Sequence, residues 1–395
     1  MPPLPPPLPR VGYEPGAIVV PGPQASSSAP SRWIVGPGWD ASVALSTLWL
    51  PLALLPALPW LDGKGASGVP HSFVVFTCLL TVPHYLTTLS YTYADRGVRG
   101  ELRAQPLLYF AVPALLFLGS WAYCAGVGPL LPLTLWIAFG EQHVAAQHLG
   151  FASLYRERNR EGEIDRRIDH WLFGLAWLPT LALYLTHPLL AREGGTFAQP
   201  IYSLALADRP QLLLALAAVA AVPFTMFLLR QLERRRKGLP VSLPRLVFVT
   251  SAWTSFVLPP FLLDDVYTVS LLRNGTHYVQ YLGIVYWLNL QRSALSTPPS
   301  GGGLAGRLVR AGPVAYFGVH AALGCLVWYL SDAQQWPGWP NALSLRFAIF
   351  PGIAFVHFFL DGLTWNSRRS VARRSVLPFL YHAPAAVRAG AVDAA

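Results

Sequence analysis

The chain has 395 residues, of which 53% are hydrophobic and only 12% charged, about half the charged share of a soluble domain. Long uncharged apolar runs at that composition exclude an ordinary soluble enzyme and indicate an integral membrane protein. The formal net charge of +10 comes from basic residues set between the apolar runs, so these read as topology signals and not as a nucleic-acid surface.

Residues 1–38 are rich in Pro, Ser and Gly, from Pro2-Pro-Leu-Pro-Pro-Pro-Leu-Pro9 to Ala25-Ser-Ser-Ser-Ala-Pro30. Such a stretch buries too little apolar surface to offset its ordering entropy, so it is expected to be disordered. It lacks a short basic region followed directly by an apolar one, so the first apolar run reads as an uncleaved anchor.

Ten apolar runs follow, at about 41–61, 71–92, 106–126, 129–154, 168–187, 210–230, 245–263, 275–291, 312–331 and 343–364, each near the length a membrane helix requires. Arg273-Asn-Gly275 reads as a turn opening the short eighth run. Prolines at Pro83, Pro113, Pro132, Pro179 and Pro223 are tolerated where neighbouring groups re-satisfy the freed carbonyl.

The arginines set the orientation. Arg96, Arg99 and Arg103 follow run two, and Arg156, Arg158, Arg160, Arg166 and Arg167 follow run four. Arg230, Arg234, Arg235, Arg236, Lys237 and Arg245 follow run six. Arg292, Arg307 and Arg310 follow run eight, and the tail 367–395 carries Arg368, Arg369, Arg373, Arg374 and Arg388. The other connections hold scattered charges such as Lys64, Arg192, Arg209 and Arg273. Basic exits after every even run predict an all-α, polytopic bundle over 39–366 with both termini cytoplasmic. In a bacterium this is a multi-pass inner-membrane protein.

The fourth run holds Glu141-Gln-His143-Val-Ala-Ala-Gln147-His148, and a charged group at such depth costs roughly 2.5 kcal/mol or more. Counted from the cytoplasmic arginines, His84, His143, Glu141, His277 and His357 lie about 16–22 Å deep, and His148, His320 and Asp361 about 10–15 Å. Five helices thus carry polar groups in one slab. Glu141 and His148 point one way on their helix, whereas His143 and Gln147 share a different face. His357 and Asp361 are i, i+4, a spacing that lets one helix offer two groups to one metal. Thr88 lies one turn beyond His84, and Gln280 and Tyr281 one turn beyond His277. His71, His187 and His382 fall at interfaces or in the tail, His170 reads as interfacial, and Asp264 and Asp265 as a helix-end pair in water.

Imidazoles with one or two carboxylates and no thiolate suit non-haem iron better than structural zinc. The expected ligands are His84, His143, His148, His277 and His357, with Glu141 or Asp361 as the catalytic carboxylate. Gln147, Gln280, Tyr281 and His320 would orient the imidazoles. The chemistry expected is that of a metal-dependent oxidoreductase acting on a hydrophobic, lipid-like substrate. Two alternatives stand: a proton-coupled transporter or channel, and a haem-b protein with axial histidines from two helices. Cys78, Cys124 and Cys325 all fall inside apolar runs and read as packing residues. No P-loop, GxGxxG or GxSxG signature is present.

His84, the Glu141–His148 stretch and His357-Phe-Phe-Leu-Asp361 together resemble the histidine-rich membrane oxygenases, among them the Brp/Blh group of carotenoid-cleaving dioxygenases. The resemblance covers the histidine-bearing runs and implies iron and oxygen chemistry, with carotenoid cleavage one candidate. The HxxxH and HxxHH boxes of membrane desaturases and hydroxylases are absent, since His143 and His148 are five apart.

Overall fold

The computed structural model describes residues 33–56, 71–94, 98–128, 130–186, 209–263, 266–295, 303–331 and 342–365. Every regular element among them is a helix. In chain order these are α1 (37–54), α2 (His71–Tyr93), α3 (107–126), α4 (Leu130–Arg158), α5 (163–185), α6 (Arg209–Arg236), α7 (243–262), α8 (Val266–Leu295), α9 (Pro313–Leu330) and α10 (Ala342–Thr364). Two short helices, Arg99–Ala104 and Gly303–Arg310, lie in the connections. Each of the ten apolar runs therefore carries a helix. Four of them, α2, Leu107–Cys124 of α3, α6 and α9, are both long and apolar enough to cross a membrane. The 29-residue α4 and 30-residue α8 are long enough, but they are the helices loaded with polar residues.

Local chemistry shapes the helices. A π-helical turn, Thr77–Thr81, runs into Val82-Pro83 in α2, and another, Leu107–Ala111, runs into Val112-Pro113 in α3. Proline lacks an N–H and its ring clashes with the carbonyl four residues back. The wider π turn makes room for it without breaking the helix. Two glycines let α8 sit deep in the bundle. A Cβ at Gly275 would lie 2.7 Å from Phe76 Cζ of α2, and one at Gly283 2.5 Å from Val43 Cγ1 of α1. Membrane helices use small residues for such close approach.

Two expectations need correction here. Arg273-Asn-Gly275 is not a turn: α8 begins at Val266 and runs straight through it. The boundary of the N-terminal segment also moves, because residues 33–38 are held in place. The Asp40 carboxylate accepts the backbone N–H groups of Ile34, Val35 and Gly36 at 2.9, 3.0 and 3.3 Å, and the Tyr155 hydroxyl at 2.7 Å. Residues 1–32, the tail from 366, His187, His382, Asp264 and Asp265 lie outside the described residues.

At the basic end of the bundle several arginines are not solvated topology signals. Buried Asp169 of α5 receives Arg156 Nη1 of α4 at 2.9 Å and Arg245 Nη2 of α7 at 2.6 Å. Arg245 Nη1 also meets Glu161 Oε2 at 2.8 Å, and Asp165 pairs with Arg230 Nε of α6 at 3.1 Å. These pairs tie α4, α5, α6 and α7 together. His170 is exposed, as an interfacial residue would be.

Candidate metal centre

Four helices each direct one imidazole to a common point: His84 from α2, His143 from α4, His277 from α8 and His357 from α10. One nitrogen of each lies within 4.8 Å of those of the other three. His84 Nε2 is 3.1 Å from His277 Nε2, and His357 Nε2 is 3.1 Å from His143 Nε2. Ring centroids step around the group at 4.6 Å (His84–His277), 5.0 Å (His277–His143), 4.8 Å (His143–His357) and 4.2 Å (His357–His84). His84, His277 and His357 are buried, and His143 nearly so.

Beside them lies a carboxylate with its own supports. Asp361 Oδ1 accepts the Tyr281 hydroxyl at 2.6 Å and the Thr88 hydroxyl at 3.1 Å. Its Oδ2 faces the imidazoles, 3.7 Å from both His143 Nε2 and His357 Nε2. Thr88 Oγ1 is also 2.7 Å from His357 Nδ1. Thr88 Oγ1 also meets the Tyr281 hydroxyl at 2.5 Å, so its single proton serves three neighbours. When that proton goes to an oxygen, His357 Nδ1–H donates to Thr88 and the His357 Nε2 lone pair faces the cluster.

This donor set fits a metal ion. Bonds of about 2.1 Å to imidazole place neighbouring ligand nitrogens about 3.0–3.4 Å apart, and two pairs stand at 3.1 Å. Four neutral imidazoles leave a divalent charge uncompensated in a buried site, and Asp361 supplies a nearby negative charge. Aromatic rings complete the walls: Tyr278 at 4.9 Å and Tyr281 at 4.3 Å from the His84 ring, and Phe358 at 4.7 Å from that of His143.

Three of the expected site residues lie elsewhere. His148, proposed as a ligand, donates from Nδ1 to the Val144 carbonyl at 2.8 Å and is enclosed by Phe173, Phe248 and Phe256. It lies five positions after His143, so the two face about 140° apart on one helix. Glu141, proposed as a catalytic carboxylate, is ion-paired with Arg273 Nη2 through Oε1 at 2.5 Å. His320 bonds the Tyr316 carbonyl at 2.8 Å and Ser90 Oγ at 3.3 Å, away from the four imidazoles.

Gln147 and Gln280 are adjacent to the site but brace backbone instead of orienting imidazole. Gln147 Nε2 donates to the His277 carbonyl at 3.0 Å, and Gln280 Nε2 to the Ala44 carbonyl at 2.9 Å. Tyr281 supports Asp361, not a ring nitrogen. The contribution of Thr88 was visible only as its spacing from His84. Arg273 was missed because its neighbours Asn274 and Gly275 are turn formers.

No family model matches the chain, and neither a curated protein nor a solved structure matches it.

Proposed function

We propose that this protein is a membrane-embedded, metal-dependent oxidoreductase, with non-haem iron held by His84, His143, His277 and His357, acting on a hydrophobic, lipid-like substrate. One observation carries the reading: four imidazoles from four helices share one buried point, with neighbouring nitrogens at metal-ligand separations. Neutral nitrogen donors without thiolate suit a redox-active ferrous ion. Bound there, iron would supply oxygen activation and electron transfer. The chain holds the site: Thr88 braces His357 at Nδ1, and Tyr281 with Thr88 holds Asp361 as counter-charge and proton acceptor beside His143 and His357. Burial in an apolar bundle favours a substrate arriving from the bilayer. The likeness of the histidine-bearing runs to the Brp/Blh group supports the same chemistry.

Ten crossings with both termini cytoplasmic belong to this proposal. The basic connections support them, and so does a helix at each of the ten apolar runs. A reporter after Arg374 should read as cytoplasmic and one within 192–209 as external. Both on one side would refute the topology.

Haem b is the weaker reading. With four imidazoles converging, two occupy the plane in which a macrocycle bound by the other pair would lie. A transporter is also less favoured, since a proton relay has no need for four nitrogens turned onto one point. Metal analysis and an optical spectrum of detergent-purified protein discriminate among the three. About one iron per chain without a Soret band is expected. A Soret band would favour haem, and absence of any metal would refute the metal centre.

A further inference from the structure

Two of the three cysteines meet across a helix interface. Cys78 lies in the π-helical turn of α2 and Cys325 in α9. They are far apart in sequence, yet the Cys78 and Cys325 side chains are neighbours across the interface. The backbones are also pressed together. A Cβ built on Gly324 would lie 2.2 Å from the Cys78 carbonyl oxygen and 3.1 Å from its carbon, so only glycine allows this crossing. Both cysteines are free thiols, Cys78 buried and Cys325 exposed on the flank of the bundle.

Their position matters. Cys78 is about 10 Å along the axis from the start of α2, and Cys325 about 8 Å from the end of α9. In the orientation proposed above, both helix ends face outward, toward the compartment where disulfides persist. Cys124 has no part in the pair.

We propose that Cys78 and Cys325 form a reversible disulfide that staples α2, the helix carrying His84, to α9. With an oxidant of the peroxide class, the two thiols give up two protons and two electrons and one S–S bond forms. The O–O bond of hydrogen peroxide breaks, and two waters leave. A disulfide spans Cα atoms up to about 6.8 Å apart, and a crossing this close leaves little backbone to move. The Cys325 sulfur, exposed on α9, attacks the peroxide O–O bond first, giving a sulfenic acid and one water. The Cys78 sulfur then attacks the Cys325 sulfur, whose hydroxyl leaves as the second water, and the S–S bond is complete.

The test counts thiols on full-length protein in lipid nanodiscs, treated with hydrogen peroxide, denatured and labelled with a maleimide mass tag. Both membrane faces are open there, so the result does not depend on the orientation, which the reporter fusions read separately. Reduced protein should take three tags and oxidised protein one, with dithiothreitol restoring all three. Cys78→Ser and Cys325→Ser should each keep both remaining tags after peroxide, whereas Cys124→Ser should lose both of its two. Three tags after oxidation, or a loss that dithiothreitol does not reverse, would overturn the proposal. So would a loss that persists in either serine variant.

Discussion

Glu141 and Arg273 face each other across the α4–α8 interface, with Glu141 Oε1 2.5 Å from Arg273 Nη2 and both side chains almost wholly buried. They precede His143 by two residues and His277 by four. The pair therefore sets the register that brings these two imidazoles together. Arg273 is further held against the Phe256 ring, 5.6 Å from its centroid. Removing one partner strands the other charge, which costs about 3–5 kcal/mol. Glu141→Gln and Arg273→Met should each lower the thermal midpoint in detergent sharply. The double variant Glu141→Leu/Arg273→Met, which buries no charge, should recover most of that loss. A double variant as unstable as the sum of the singles would show that the pair acts through something other than its charges.

The ligand set gives a second prediction. Alanine at His84, His143, His277 or His357 should abolish stoichiometric metal while leaving folded protein. His148→Phe should retain metal in full. Its ring lies among Phe173, Phe248 and Phe256, and its buried Nε2 has no hydrogen-bond partner. Phenylalanine removes an unmet acceptor worth about 1–3 kcal/mol, so stability should hold or rise. Elemental analysis of the purified variants decides. Loss of metal in His148→Phe would mean that the centre extends beyond the four imidazoles.

The contrast between His143 and His148 shows how far the sequence could be read. The apolar runs alone were enough to locate ten helices, because length and hydrophobicity are local signals. The four imidazoles that converge are the ones whose spacing from the basic connections is about 16–22 Å. Helical phase was equally legible. At 100° per residue His143 and His148 cannot face one point, so a metal that takes one of them leaves the other among its aromatic neighbours. Arg273 was less legible. Asn and Gly favour turns only when nothing else decides, and here Gly275 is needed for the approach of Phe76 to α8. Partners such as Thr88 and Asp361, or Cys78 and Cys325, depend on which helices pack together, and no local signal carries that.

Asp361 Oδ2 stands 3.7 Å from the His143 and His357 Nε2 atoms and would close the charge balance of a cation held there. Neutralising it should weaken the metal without emptying the fold. Asp361→Asn is expected to lower metal affinity by about 10–100-fold, the range typical of groups that support ligands from behind. Tyr281→Phe removes one of the two hydroxyls on Oδ1 and should fall between that variant and the wild type. Thr88→Val touches both His357 and Asp361, and should be at least as severe as Asp361→Asn. Chelator competition on purified protein measures the series. Equal affinities throughout would remove the carboxylate from the centre.

The last prediction concerns the charged end of the bundle, in the connection between α4 and α5. Burial pushes the Glu161 carboxyl up to about 7 from its ordinary 4.5, against the opposing pull of Arg245 and Arg234. The denatured chain releases this proton near the ordinary value. Between about pH 4.5 and pH 7 the folded state therefore holds a proton that the denatured state has lost. Stability from this group is full below the lower value, declines as pH rises through the window and levels off above the upper one. Glu161→Gln has no such proton to lose, and Arg245 keeps its 2.6 Å contact with Asp169. The melting temperature of the variant relative to wild type should climb as pH rises from 5 to about 7, then stay constant. A difference that is flat across that range, or that falls, would show that Glu161 is ionised throughout and held by Arg245.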